Sequence, residues 1–148
     1  MSWCWKRRGR RTAARRLRAL GADELDMVRN RSFLRSGRAV EMEAEIREVV
    51  EAGNSATVKV ILETGELSEL EIAICVEASK RAGADFVKTS TGFAGSGATP
   101  ETVRLLRRLA GKGMGVKASG GIRTLDQALE LIEAGADRLG LSATPAVL

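Results

Sequence analysis

A chain of 148 residues that is 44% hydrophobic can bury one core and is too apolar to be disordered throughout. It has no histidine and only two cysteines, Cys4 and Cys75, too far apart to form a motif, so any chemistry must run on Lys, Asp, Glu, Ser or Thr. The formal charge of +5 belongs to one end: Lys6, Arg7, Arg8, Arg10, Arg11, Arg15, Arg16 and Arg18 carry +8 with no acid among residues 1–20, and the rest is mildly acidic.

In chain order, residues 1–12 form a basic arm that reads as a disordered or partly helical tail, set apart from a domain over 13–148. Its arginines suit nucleic-acid phosphates, and Trp3 and Trp5 suit stacking on bases, although nucleic acid is not the expected partner. An Arg-rich, acid-poor start also has the composition of a mitochondrial transit peptide. Unpatterned cysteines without a signal peptide point instead to a reducing, cytoplasmic setting. No apolar run approaches the roughly 18–20 residues a membrane helix needs.

After the arm a junction recurs three times. Leu20-Gly21-Ala22-Asp23, Ala82-Gly83-Ala84-Asp85 and Ala134-Gly135-Ala136-Asp137 each close a helical stretch, cap it with glycine and open an apolar run. The runs that follow are 24–30, 86–90 and 138–142, and two further strand-like runs lie at 57–63 and 113–119. Helices between them start on capping boxes at Ser68–Glu71 and Thr124–Gln127, and on Thr99 before Pro100. Helical spacing puts Ile72, Val76 and Ser79 on one face, and Val103, Leu106 and Leu109 on another.

Strand and helix alternate at the spacing of a βα unit, which builds an open doubly wound sheet or a closed barrel. No Gly-x-Gly-x-x-Gly follows the first strand, and the polar residues of interest end several different strands, as on the rim of a barrel. The expected fold is therefore α/β, of the (β/α)₈ TIM-barrel type and incomplete, with about five units corresponding to the last five strands. Three units, roughly 90 residues by that scaling, have no counterpart. The open edges would favour a homo-oligomer or a complementing chain that supplies strands.

Lys88 lies late in an apolar strand, where desolvation disfavours its charged form and leaves a nucleophilic amine; the plainer alternative is a lysine reaching solvent. Lys117 sits in the next strand, and the two would repel and disfavour each other's protonation if they share a face. If they face opposite ways, they never meet. Ser119-Gly120-Gly121-Ile122-Arg123-Thr124 joins a strand to a capped helix, which makes a phosphate cradle or a tight turn needing glycine. Gly92, Gly95 and Gly97 form a second glycine loop, and Ser142 ends the last strand. Asp26 is an acid inside an apolar strand and needs a cationic partner. Lys59, Glu63, Thr64 and Thr89 are expected to support the site by hydrogen bonds or ion pairs.

The segments FVKTSTGF (86–93), VKASGGIRT (116–124), VKVILETGEL (58–67) and ELDMV (24–28) together resemble the deoxyribose-phosphate aldolases, over about residues 13–142. The resemblance implies that Lys88 is the Schiff-base lysine, that Lys117 lowers its pKa and that Asp26 belongs to a proton relay. It places Gly92, Gly120, Gly121, Arg123, Gly140 and Ser142 around the phosphate of a small sugar. It implies reversible cleavage of 2-deoxy-D-ribose 5-phosphate to glyceraldehyde 3-phosphate and acetaldehyde through a covalent lysine intermediate, with no cofactor or metal. The alternatives are an inactive remnant of such an enzyme, a nucleic-acid-binding protein that uses the basic arm, and another phosphate-binding Schiff-base barrel enzyme. The chain departs from the pattern at Arg29 and Arg31, where the family has apolar residues, and at Ala143, where a second serine is common. Residues 1–12 match nothing familiar and read like a new start on a truncated or frame-shifted gene.

Overall fold

The computed structural model describes residues 7–92 and 97–142, with side chains from Gly9 onward. Trp3, Cys4, Trp5, Gly95 and Ala143 lie outside the described residues. Five parallel strands, β1 (Glu24–Val28), β2 (Thr57–Ile61), β3 (Phe86–Lys88), β4 (Gly115–Ser119) and β5 (Arg138–Gly140), pair in sequence order in one sheet. Helices α1 (Arg7–Ala19), α2 (Arg31–Arg35), α3 (Ala39–Gly53), α4 (Glu69–Arg81), α5 (Pro100–Ala110) and α6 (Leu125–Glu133) connect or precede them. The sheet is curled, because Arg138 of β5 reaches back to Glu24 of β1 at 2.5 Å. This is an incomplete (β/α) barrel of five units.

Side chains alternate across each strand, and the helices cover one face. Val58, Val60, Val87, Val116 and Ala118 are fully buried on that face. Met42 and Ile46 of α3, Ile72, Cys75 and Val76 of α4, and Val103 and Leu106 of α5 close over them. Ser79 shares the buried face of α4, as its spacing predicts, whereas Leu109 of α5 is only half-buried.

The repeated junction explains how strands are set side by side. Gly21, Gly83 and Gly135 adopt φ of +93°, +82° and +110°, a region costly for any residue with a Cβ. The aspartate two residues later then reaches the preceding strand: Asp85 accepts from the Val58 amide and Asp137 from the Val116 amide, both at 2.8 Å. Asp23 stands at the open edge of β1 instead, 94% exposed and facing Arg18. The capping boxes at Ser68 and Thr124 form as predicted, and Thr99 caps α5 ahead of Pro100.

β1, β2, β3 and β5 each stop two residues short of their apolar runs. β1 ends at Val28 because Asn30 turns to cap α2, accepting from the Ser32 amide at 3.1 Å. β3 ends at Lys88, and the next two residues, Thr89 and Ser90, turn their hydroxyls onto the Ser119 carbonyl. Helix α1 runs straight through residue 12, where the sequence suggests that a free arm gives way to the domain. Arg10 donates to the Val28 carbonyl and faces Glu45 at 3.6 Å, which ties this part of α1 to the body. Arg29 is 3% exposed and donates to the Leu62 carbonyl at 2.6 Å; burial holds its pKa below the ordinary arginine value. No described helix is long and apolar enough to cross a membrane.

Candidate active site

The uncovered inner face of the sheet is charged. The ladder sets Lys88 directly opposite Lys117, and Asp26 opposite Lys59. Parallel pairing keeps opposite residues on one face, so the two lysines meet, and the alternative in which they diverge does not hold. Their meeting point is the Asp26 carboxylate. Lys88 Nζ lies 2.9 Å from Oδ2, Lys117 Nζ 3.7 Å from the same oxygen, and Lys59 Nζ 3.0 Å from Oδ1.

Three cations on one carboxylate set the electrostatics. Burial alone would raise the Asp26 pKa, but hydrogen bonds from Lys88 and Lys59, with the charges of Lys88 and Lys117, hold it below its ordinary value. Burial, aided by the charges of Lys88 and Lys59, lowers the Lys117 amine despite the opposing pull of Asp26. A neutral amine is the form that adds to a carbonyl.

Several polar side chains hold the ends of β3 and β4 in place. Thr89 is fully buried; its hydroxyl donates to the Ser119 carbonyl and accepts from the Ser119 amide, each at 3.0 Å. The Ser119 hydroxyl in turn donates to the Ser90 carbonyl. Thr64 donates its amide to the Thr89 carbonyl at 2.9 Å. Glu63 is 2% exposed at φ +54°, an uncommon conformation for a residue with a side chain, and its carboxylate accepts from the Thr91 amide at 2.7 Å. These residues brace the turn that leaves Lys88. Lys59 is a fully buried ion-pair partner of Asp26.

Beside Lys88 opens a cleft of about 330 Å³ lined by Thr91, Gly92, Ser119, Gly120, Gly121, Gly140 and Ser142 among others. Gly120 and Gly121 adopt φ of +88° and +77°, and a Cβ on Gly120 would lie 2.8 Å from the Ser90 hydroxyl. Backbone packed this tightly leaves amides and carbonyls, not side chains, as much of the wall. The structure does not bring Arg123 to it: the side chain is exposed, and the Arg123 amide donates to Gln127 Oε1 at 2.8 Å as part of the α6 cap.

Sequence reasoning missed Ser90 and Ser119 as the latch between β3 and β4, and Glu24 and Arg138 as inner-face charges. Glu24 had a usable signal, since it lies two residues before Asp26 on the same face of one strand.

A family model described as DeoC/LacD family aldolase matches residues 6–145. The chain belongs to the DeoC/LacD aldolase family. Among curated relatives, the deoxyribose-phosphate aldolase of Thermococcus gammatolerans is 56% identical over 124 residues, covering 82% of this chain and 55% of that protein. The enzyme of the same name from Staphylococcus haemolyticus is 53% identical over 123 residues, covering 83% and 56%. The chain thus spans a little over half the length of the curated relatives it matches. Among solved structures, an aldolase called QR15 superposes with a TM-score of 0.93 at 44% identity, over 97% of this chain and 65% of that one. The tetrameric deoxyribose-phosphate aldolase of Aeropyrum pernix gives 0.89 at 38% identity, over 97% and 61%.

Proposed function

We propose that this chain is a Schiff-base aldolase acting on 2-deoxy-D-ribose 5-phosphate, with Lys88 as the nucleophile. The observation that carries the proposal is the convergence of Lys88 and Lys117 on Asp26 beside the glycine-lined cleft. The neutral Lys88 amine adds to the C1 aldehyde, and loss of water gives an iminium. The C3 hydroxyl then gives up its proton, the C2–C3 bond breaks, and its electron pair flows into the iminium to form an enamine. Glyceraldehyde 3-phosphate leaves. Protonation of the enamine at C2 and hydrolysis release acetaldehyde and restore the amine. The iminium is the electron sink, so the scheme calls for no metal or organic cofactor.

In this reading Asp26 and Lys117 carry protons to and from the reacting carbons, while Gly92, Gly120, Gly121, Gly140 and Ser142 hold the phosphate. Arg123 reaches that phosphate only if its exposed side chain swings inward. The setting proposed is cytoplasmic. The partner proposed is a further chain, a second copy or a complementing one, that adds a strand at the β1 edge. Asp23 supports this, because its counterparts Asp85 and Asp137 each receive an amide from a neighbouring strand and Asp23 is exposed. An apolar cleft of about 370 Å³ between α1 and β1 lies along the same edge. A nucleic-acid role for the basic stretch has less support, since Arg10 and Arg18 turn to the body.

The test is reductive trapping. The chain is incubated with 2-deoxyribose 5-phosphate, reduced with borohydride, and mapped by peptide mass spectrometry. An adduct on Lys88 that disappears in Lys88→Ala is the expected result. A folded wild-type chain that traps no sugar would reduce the site to an inactive remnant.

A further inference from the structure

Below the lysines, toward the N-terminal ends of the strands, the inner face holds a second ion cluster that the scheme above leaves unused. Lys59 is 1% exposed and bonds two acids at once, Glu24 at 2.5 Å and Asp26 at 3.0 Å. Arg138 closes on Glu24 from the far side of the curl, Nη1 to Oε1 at 2.5 Å. Its guanidinium lies 4.7 Å from the centre of the Phe86 ring. That ring rests on Gly115, where any Cβ would run into it. Each oxygen of Glu24 therefore has its own cation, Oε1 with Arg138 and Oε2 with Lys59. Those two hydrogen bonds hold the Glu24 carboxyl ionised, down at about 2.

Asp26 divides its oxygens in the same way, with Oδ1 toward Lys59 and Oδ2 toward Lys88 and Lys117. The division depends on Lys59 having a second acid. With Glu24 neutralised, a buried lysine would be left with Asp26 alone and would pull that carboxylate away from the reactive amines. We propose that Glu24 and Arg138 set the charge around the reactive lysines: Glu24 takes up half of Lys59 and supplies a negative charge, and Arg138 supplies a positive one from across the curl. The proposal rests on Lys88 being the Schiff-base amine.

The charges that face the lysines come from every strand. They are Glu24 and Asp26 on β1, Lys59 on β2, Lys88 on β3, Lys117 on β4 and Arg138 on β5, while Glu63 after β2 is turned to the Thr91 amide. Fully ionised, the cluster has four positive charges against two negative, and loss of the Lys117 proton relieves part of the excess. Glu24 and Arg138 weigh on that balance with opposite signs. Removing the acid makes the proton leave at lower pH, and removing the guanidinium makes it leave at higher pH. A purely structural role would move both variants the same way.

The experiment uses the full chain without substrate and reads the reactivity of each lysine toward acetic anhydride across neutral to alkaline pH, by peptide mass spectrometry. Glu24→Gln is expected to lower the midpoint for Lys117 by about half a pH unit, and Arg138→Met to raise it by a similar amount. Arg138→Lys, which keeps the charge, should stay near wild type. Should Arg138→Met fail to fold, Arg138→Gln tests the same sign. Midpoints that do not move, or that move in one direction in both variants, overturn the proposal. Sugar trapping on Lys88 is run separately, so its failure would count against the aldolase reading while the lysine titrations still decide the roles of Glu24 and Arg138.

Discussion

The two faces of the sheet are drawn from the same five strands and share almost nothing else. Toward the helices, Val58, Val60, Val87, Val116 and Ala118 are fully buried among aliphatic side chains. Toward the inside of the curl, the alternate positions are Glu24, Asp26, Lys59, Lys88, Lys117 and Arg138, joined in one chain of ion pairs. The helix face needs volume and shape, and it supplies most of the apolar burial that holds the chain together. The inner face needs charges at fixed distances. A packed layer that takes no part in the chemistry thus supports one that does, and changes on the two faces should have separable effects.

The largest effect expected on the inner face, after loss of Lys88 itself, comes from Asp26→Asn. An amide cannot accept a proton or hold three ammonium groups, so the rate of sugar trapping at Lys88 should fall by roughly 100-fold or more. The far-UV circular dichroism should keep its shape. A variant that traps at the wild-type rate would remove Asp26 from the proton-handling role.

On the helix face the expectation reverses. Leu106 of α5 is fully buried, and Leu106→Ala should cost roughly 2–5 kcal/mol of unfolding free energy, read from the urea midpoint. Under conditions where the variant is still folded, trapping at Lys88 should proceed near the wild-type rate. Trapping lost from a folded Leu106→Ala chain would show that the faces are not separable and that the lysines depend on core packing directly.

Much of this was legible in the sequence because the signals are local. Three Gly-Ala-Asp junctions, two capping boxes and Thr99-Pro100 mark helix ends through backbone chemistry that does not depend on distant residues, and all of them appear in the fold. Lys88, Lys117 and Asp26 were legible because a charge within an apolar strand has to be accounted for. The rest is tertiary. That Lys59 bonds two acids, that Arg138 reaches Glu24 across 114 positions, and that Ser90 and Ser119 latch two strands all depend on register and curl, which no window of sequence contains. Arg123 shows the converse. Its motif suggests a phosphate ligand, and in the fold its amide takes part in the cap of α6 while its side chain is exposed.

The smallest predicted effect separates the faces by pH. Cys75 is buried on the helix face, and burial pushes its thiol up to about 11 from an ordinary 9.0. An unfolded chain would ionise this thiol first, so between those values the unfolded state binds fewer protons and stability falls as pH rises. The fall should approach roughly 2 kcal/mol in urea titrations taken across that window. Lys117 acts in the opposite sense, because its folded pKa lies below 10.5: the unfolded state binds more protons there, and stability rises with pH. In wild type the two contributions oppose each other. Cys75→Ala removes the first and leaves the second, so its stability should fall less steeply above pH 9.0 than that of the wild type. Identical alkaline slopes in the two proteins would mean that Cys75 ionises as freely in the fold as outside it, and that the helix face is not sealed at that position.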